Sequence, residues 1–138
     1  MKLRAAAAAV ALALLIGAAA TSLGAAARAN AGTIDITIHY SDFEPGEIAV
    51  APGETVRFVI RNTDPIDHEF ILGDERVQLV HEEGTEAHHD PRPGEVSVPA
   101  GETIVTTYTF PMIVGALIFG CHLPGHYDFG MLGTVTVG

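Results

Sequence analysis

Cysteine is almost absent from this chain, whose 138 residues include one, Cys121. A single cysteine cannot form an internal disulfide, so its thiol is free, part of an intermolecular bridge or a metal ligand. Outside the cytoplasm a free thiol is prone to oxidation, and metal ligation would protect it.

Lysine is absent after Lys2, and four arginines follow residue 31, whereas all 17 acidic residues lie from Asp35 onward. The four arginines are Arg57, Arg61, Arg76 and Arg92. This negative charge repels nucleic acid and anionic membrane surfaces, and it would attract a cationic partner protein. The same charge could also serve only to keep the protein soluble.

Residues 1–31 differ in kind from the rest of the chain. Two basic residues precede an apolar run over 5–20, and small residues follow at signal-peptidase spacing. This pattern predicts a secretory signal peptide, cut after Ala29 or, as we prefer, after Ala31, and hence a periplasmic or extracellular protein. An uncleaved membrane anchor is the alternative, because the run is nearly long enough to span a bilayer. No cysteine lies near the cut, which argues against a lipoprotein.

Helical periodicity is scarce after residue 31, whereas short alternating stretches such as 55–61 are typical of half-buried strands. Proline and glycine mark turns such as 52–53 and 99–101, each of which introduces a strand. We predict strands near 33–39, 47–50, 55–61, 67–72, 95–98, 103–110, 115–120 and 133–137, with a short helix near 75–82. Residues 32–138 are therefore expected to form one all-β domain, a sandwich of two sheets.

Three potential metal ligands follow one another at fixed spacing: Cys121, then His126 five residues later, then Met131 five further. A proline–glycine pair between the first two curls the chain, so that both can point at one ion. With a distant imidazole, for which His68 is the candidate, they make up the trigonal ligand set of a blue-copper electron-transfer site with a weak axial thioether.

Each of these residues also has an ordinary interpretation. Cys121 could be a small buried apolar residue, Met131 part of the core, and His68 a hydrogen-bonded histidine at a strand end. Zinc is the alternative metal, since two histidines and a cysteine can hold it with an open fourth position for hydrolysis. Thiolate and thioether together favour copper, which also binds such sites more tightly.

The segment from Asn62 to His68 and the pattern Cys-x4-His-x4-Met together resemble the cupredoxins, small copper proteins with a Greek-key β-sandwich. The resemblance covers nearly all of 33–138 and implies seven to eight strands and one ion that alternates between Cu(I) and Cu(II). The implied copper ligands are His68, Cys121, His126 and, in the axial position, Met131. We accordingly expect a monomeric one-electron carrier with a redox partner protein, and no enzymatic activity.

In the family, the ligand matching His126 lies nearest the surface and is the usual exit for electrons. The resemblance implies that Leu123, Pro124 and Phe129 form an apolar docking patch around it. Glu69 departs from the pattern, because a small or amide residue often follows the first histidine ligand and ties the ligand loops together.

The pair Cys121-His122 also resembles multicopper oxidases, in which flanking histidines serve a three-copper cluster. Gly120 precedes the cysteine here, and no His-x-His motif is present. These departures argue against a multicopper enzyme, and we assign His122 no ligand role.

The acidic segment 73–94 interrupts the regular strands and contains His81, His88 and His89. A loop of this length is usually functional or disordered. It resembles the histidine-rich insertion of a bacterial subgroup of exported cupredoxins linked to copper tolerance, although it lacks their methionines. Copper sequestration is therefore the alternative function, with the three histidines forming a second metal site, but the same residues would also suit a solvated loop.

Overall fold

The computed structural model describes residues 32–84 and 89–138, together with the backbone of Ala27–Arg28. Most of the predicted leader and His88 lie outside the described residues, so cleavage of the leader stays a prediction. Among the described residues, no helix combines the length and apolar character needed to cross a membrane.

Two β-sheets and one short helix make up the described part of the chain. The strands are β1 Ala27–Arg28, β2 Thr33–His39, β3 Asp42–Glu44, β4 Glu47–Val50, β5 Thr55–Asn62, β6 His68–Gly73, β7 Glu95–Val98, β8 Thr103–Thr109, β9 Gly115–Gly120 and β10 Leu132–Val137, and helix α1 spans Glu75–Glu82. One sheet has the order β1-β4-β10-β9-β6-β7 and the other β3-β2-β5-β8. The predicted all-β sandwich is confirmed.

All eight predicted strands are present, with ends that differ by at most one residue, and α1 has the predicted bounds. Two short strands, β1 and β3, were not predicted. In β3 one residue, Phe43, is buried between two exposed ones, and three residues are too few to show a period. The carboxylate of Asp74 caps α1 by accepting a hydrogen bond from the N–H of Val77 at 3.0 Å, as is typical of a helix start.

Alternating burial along the strands builds the core between the sheets. In β5 the buried residues are Val56, Phe58, Ile60 and Asn62. The ring of Phe70 lies 5.3 Å from that of Phe58 and 5.4 Å from that of Phe119, measured between centroids. The Phe58–Phe70 contact joins the two sheets, and the Phe70–Phe119 contact lies within one of them.

Strand directions bring the predicted metal ligands to one end of the sandwich. Strand β6 begins at His68, and β9, its antiparallel neighbour, ends at Gly120. Strand β10 runs back along β9 with Leu132 opposite Gly120. The loop 121–131 therefore leaves and re-enters the sheet at the end where His68 lies.

Candidate metal centre

Three donor atoms converge at this end of the sandwich. Nδ1 of His68 lies 3.3 Å from Nδ1 of His126. Sγ of Cys121 lies 3.2 Å from Nδ1 of His126 and 3.9 Å from Nδ1 of His68. Two atoms that each bind one ion at about 2 Å are themselves roughly 3.3–3.5 Å apart. The three side chains therefore fit around a single metal ion.

Burial differs among the three and shapes their protonation. His68 and Cys121 are fully buried, whereas His126 is half-buried and reaches the surface. Burial raises the pKa of the Cys121 thiol. Burial, with a contribution from His68, lowers the pKa of His126, which favours the neutral imidazole that binds metals. Metal binding would have to displace the thiol proton, because the thiolate is the ligand.

The loop that carries Cys121 and His126 is closed by its own backbone. The N–H of Cys121 donates to the carbonyl of Met131 at 3.2 Å, and the N–H of Met131 donates to the carbonyl of His126 at 3.0 Å. Gly125 has a φ of +84°, a conformation that glycine adopts at little cost. The Met131 side chain is buried beside this loop. The ligand roles of these residues, including the axial role of Met131, stay predictions.

A family model described as a cupredoxin-like domain matches residues 6–95, a range that includes His68. This chain belongs to the cupredoxin family. The three donors lie close enough together to hold one metal ion, and the cofactor of this cupredoxin is copper. The resemblance to cupredoxins that the sequence indicated is therefore confirmed.

Relatives of this cupredoxin include two bacterial copper-resistance proteins. The chain is 37% identical over 117 residues to the copper-resistant cuproprotein CopI of Rubrivivax gelatinosus, covering 83% of this chain and 70% of that protein. It is 30% identical over 146 residues to CopI of Pseudomonas aeruginosa, covering 82% and 80%. Among solved structures, reduced auracyanin from Roseiflexus castenholzii is similar, with 26% identity, a TM-score of 0.64 and coverage of 78% of this chain and 97% of that one.

Asp64 orients the first histidine of this cupredoxin, a role that the sequence did not reveal. Its Oδ2 lies 2.9 Å from Nε2 of His68, and its carboxylate also accepts hydrogen bonds from the N–H groups of Tyr40 and Ser41. Although burial raises the pKa of Asp64, these hydrogen bonds together hold it below its ordinary value. The carboxylate therefore keeps the proton of His68 on Nε2 and leaves the Nδ1 lone pair for the metal.

Asn62 holds the turn that leads from β5 to His68. Its Nδ2 donates to the carbonyls of Ile66 at 2.8 Å and Val98 at 2.9 Å, and its Oδ1 accepts from the N–H of Asp64 at 2.9 Å. The buried amide satisfies backbone groups that would otherwise have no partner. This explains why the segment 62–68 carried part of the sequence resemblance.

A backbone group ties the two ligand loops together. The N–H of Glu69 lies 3.3 Å from Sγ of Cys121 and is directed towards it. The Glu69 side chain departs from the family pattern, but this contact is made by the main chain, which any residue except proline provides. A hydrogen bond to the sulfur is one of the features that tune such a centre.

His122 fastens the Cys121 loop to helix α1. Its side chain is 2% exposed, and Nδ1 lies 2.7 Å from Oε2 of Glu82. Nε2 lies 2.8 Å from Oε1 of Gln78, and the ring stacks on Tyr127 at a centroid distance of 4.5 Å. His122 thus supports the centre without being a predicted ligand. Its partners lie on α1, so the predicted helix was the one sequence signal that pointed towards them.

The predicted apolar patch around His126 is exposed at this end of the protein. Phe129 is 92% exposed, Pro124 is exposed and Leu123 is half-buried. The Phe129 ring lies over Gly125, where an added Cβ would be 3.2 Å from it. These three apolar residues therefore lie in the same loop as His126, with Phe129 and Pro124 exposed.

Proposed function

We propose that this cupredoxin is an exported one-electron carrier rather than an enzyme, with one copper ion held by His68, Cys121, His126 and Met131. Bound copper supplies one-electron chemistry. The observation that carries the proposal is the convergence of two Nδ1 atoms and a sulfur within 3.9 Å of one another. A set of donors already assembled by the fold needs little movement when the charge of the ion changes.

The surrounding residues support rapid transfer by holding the donors in place. The Asp64 carboxylate fixes the ring of His68, and the N–H of Glu69 faces Sγ of Cys121. Hydrogen-bonded partners of this kind orient ligands and tune the metal. The half-buried ring of His126 then provides the route to the surface.

A redox partner protein is proposed to dock on the patch formed by Leu123, Pro124 and Phe129. Four arginines against 17 acidic residues make the domain anionic. Long-range attraction would therefore steer a cationic partner towards it, at rates that fall as ionic strength rises. The apolar patch would then bring the partner close to His126.

Copper resistance is a second candidate function, favoured by the names of two relatives. Both proteins that share 37% and 30% identity with this chain are called copper-resistant cuproproteins. The same copper centre would serve either role. The two proposals differ in whether the copper ion exchanges electrons rapidly with a partner protein.

Reconstitution of the domain with Cu(II) tests the centre and then the carrier function. We expect an intense visible absorption from thiolate-to-copper charge transfer, which Cys121→Ser abolishes and Glu83→Gln retains. Stopped-flow mixing with a reduced cationic cytochrome should bleach this absorption rapidly at low salt and more slowly at high salt. A fully loaded but colourless protein contradicts the centre, whereas a coloured protein that exchanges no electrons contradicts the carrier.

A further inference from the structure

A second group of metal-binding side chains lies near helix α1, outside the copper centre. Nε2 of His81 lies 3.4 Å from Oε2 of Glu95, and Nε2 of His89 lies 3.2 Å from the same oxygen. One donor atom from each residue lies within 4.8 Å of the other two. We propose that His81, His89 and Glu95 bind a second divalent metal ion, of the zinc or Cu(II) type.

The distances agree with shared coordination of one ion. Ligand atoms at about 2.0–2.2 Å from a tetrahedral ion lie roughly 3.3–3.5 Å apart, close to the two measured separations. Two imidazole nitrogens and a carboxylate oxygen also form a common protein ligand set for zinc, and imidazole suits Cu(II) equally.

The orientation of the groups favours ligands over a simple ion pair. Oε2 of Glu95 is buried, yet it accepts no hydrogen bond within the part of the chain that the structure describes. The two imidazole nitrogens are near enough to donate but are not aligned with this oxygen. Donors that share an ion point at the ion rather than at one another, so this misalignment is expected of a ligand set.

The fold holds these three residues in place from separate elements. His81 lies in the last turn of α1 and Glu95 begins β7, while His89 precedes β7. Their side chains are 8%, 16% and 20% exposed, in the order His81, Glu95 and His89. They line an open cleft of about 550 Å³, through which an ion could enter from solvent.

Arg92 is the competing partner of the carboxylate. Its guanidinium lies 3.5 Å from Oε2 of Glu95, and its side chain is 48% exposed. Because the Arg92 side chain is about half exposed, its guanidinium can be hydrated by solvent when it leaves this carboxylate. Arg92 can therefore move into solvent when a metal ion takes its place, and Arg92→Gln should strengthen metal binding by removing a competing positive charge.

The cleft also contains a side chain that connects it to the copper centre. The ring of His81 lies 5.7 Å from that of His122, between centroids, and His122 follows Cys121 in the chain. His122 therefore borders both the cleft and the loop that carries Cys121. This inference extends the copper-resistance proposal, but the second ion does not depend on it.

The test uses the full domain with its copper centre already loaded with one equivalent of Cu(II). Calorimetric titration with Zn(II) should then show one further equivalent, and Glu95→Gln or His81→Ala should weaken that binding by at least tenfold. Glu83→Gln removes an exposed acid from the end of the same helix and should leave it unchanged. The charge-transfer absorption should persist in every variant, which shows that the fold and the first site are intact.

Two results would overturn the second site. One is a copper-loaded wild-type protein that binds no zinc, and the other is zinc binding that Glu95→Gln and His81→Ala leave unaltered. Loss of the charge-transfer absorption on reconstitution would instead contradict the copper centre, so failure of either proposal is recognised separately. A second equivalent of Cu(II) provides a further check, because it should add an electron paramagnetic resonance signal without adding thiolate absorption.

Discussion

The Nε2 atom of His68 lies 2.9 Å from the carboxylate of Asp64, four residues earlier in the chain. The same carboxylate accepts two backbone hydrogen bonds from the turn after β2. One buried acid thus joins that turn to His68, a predicted copper ligand. The position of the imidazole is therefore set by the protein itself.

Replacing Asp64 with asparagine should weaken copper binding by about 10- to 100-fold, the usual effect of losing a partner that orients a metal-bound histidine. The asparagine amide is nearly the same size, but it has no charge, and its NH₂ group can face the N–H groups that now donate to the carboxylate. Competition with a chelator of known affinity measures the change. Asp35→Asn, at an exposed position of β2, is the matched control and should have no effect.

The same carboxylate should make the metal-free protein sensitive to acid. The pKa of Asp64 is lowered on folding from an ordinary value of 3.8, so the folded state favours the ionised form. This contribution is fully present above pH 3.8 and is lost as the pH falls through the lower, folded-state pKa. Thermal melting between pH 7 and pH 2 should show a steeper acid loss in the wild type than in Asp64→Asn, and identical slopes would contradict this account.

The strands and the ligand loop could be predicted from the sequence because their signals are local. Alternation predicted β5 to within one residue at its end, and the spacing of Cys121, His126 and Met131 depends on one short loop. The roles of Asp64 and the Glu69 N–H could not be predicted, since each depends on two segments that meet only in the folded chain. The anchoring role of His122 could not be predicted for the same reason, because its partners lie on α1, about 40 residues earlier in the chain.

His122 should stabilise the fold while having little effect on the number of copper ions bound. His122→Phe keeps the stacking on Tyr127 but removes its hydrogen bonds to the exposed Glu82 and to the buried Gln78, whose Oε1 then has no partner from this ring. Burial of polar groups without partners costs about 1–3 kcal/mol. Urea denaturation of the metal-free protein measures this loss, with Glu83→Gln at an exposed position after α1 as the control. A variant as stable as the wild type would show that His122 is not an anchor.

Two glycines at the ends of β9 should respond differently to the same small change. A Cβ at Gly120 would lie 2.7 Å from the Tyr127 ring and 3.3 Å from Oε1 of Gln78, whereas a Cβ at Gly115 would meet nothing within 4 Å. Overpacking of this kind costs about 1–3 kcal/mol. We expect Gly120→Ala to lower the denaturation midpoint and alter the charge-transfer absorption, and Gly115→Ala to do neither. Equal behaviour of the two variants would contradict the close packing beside Cys121.

Phe129 should affect electron exchange without affecting the copper centre itself. Its ring is 92% exposed, so Phe129→Ala removes few internal contacts, and the visible absorption should be unchanged. If the ring forms part of the docking surface beside His126, the second-order rate of electron exchange with a cationic cytochrome should fall about tenfold or more. A tenfold fall corresponds to a loss of about 1.4 kcal/mol of binding free energy, which is typical of truncating a central interface residue. Met112→Ala is the control. Met112 is 77% exposed and precedes the first residue of β9, whereas the His126 loop follows the last. Stopped-flow rates that fall equally for both variants would show that general surface hydrophobicity, and not the patch around His126, governs the encounter.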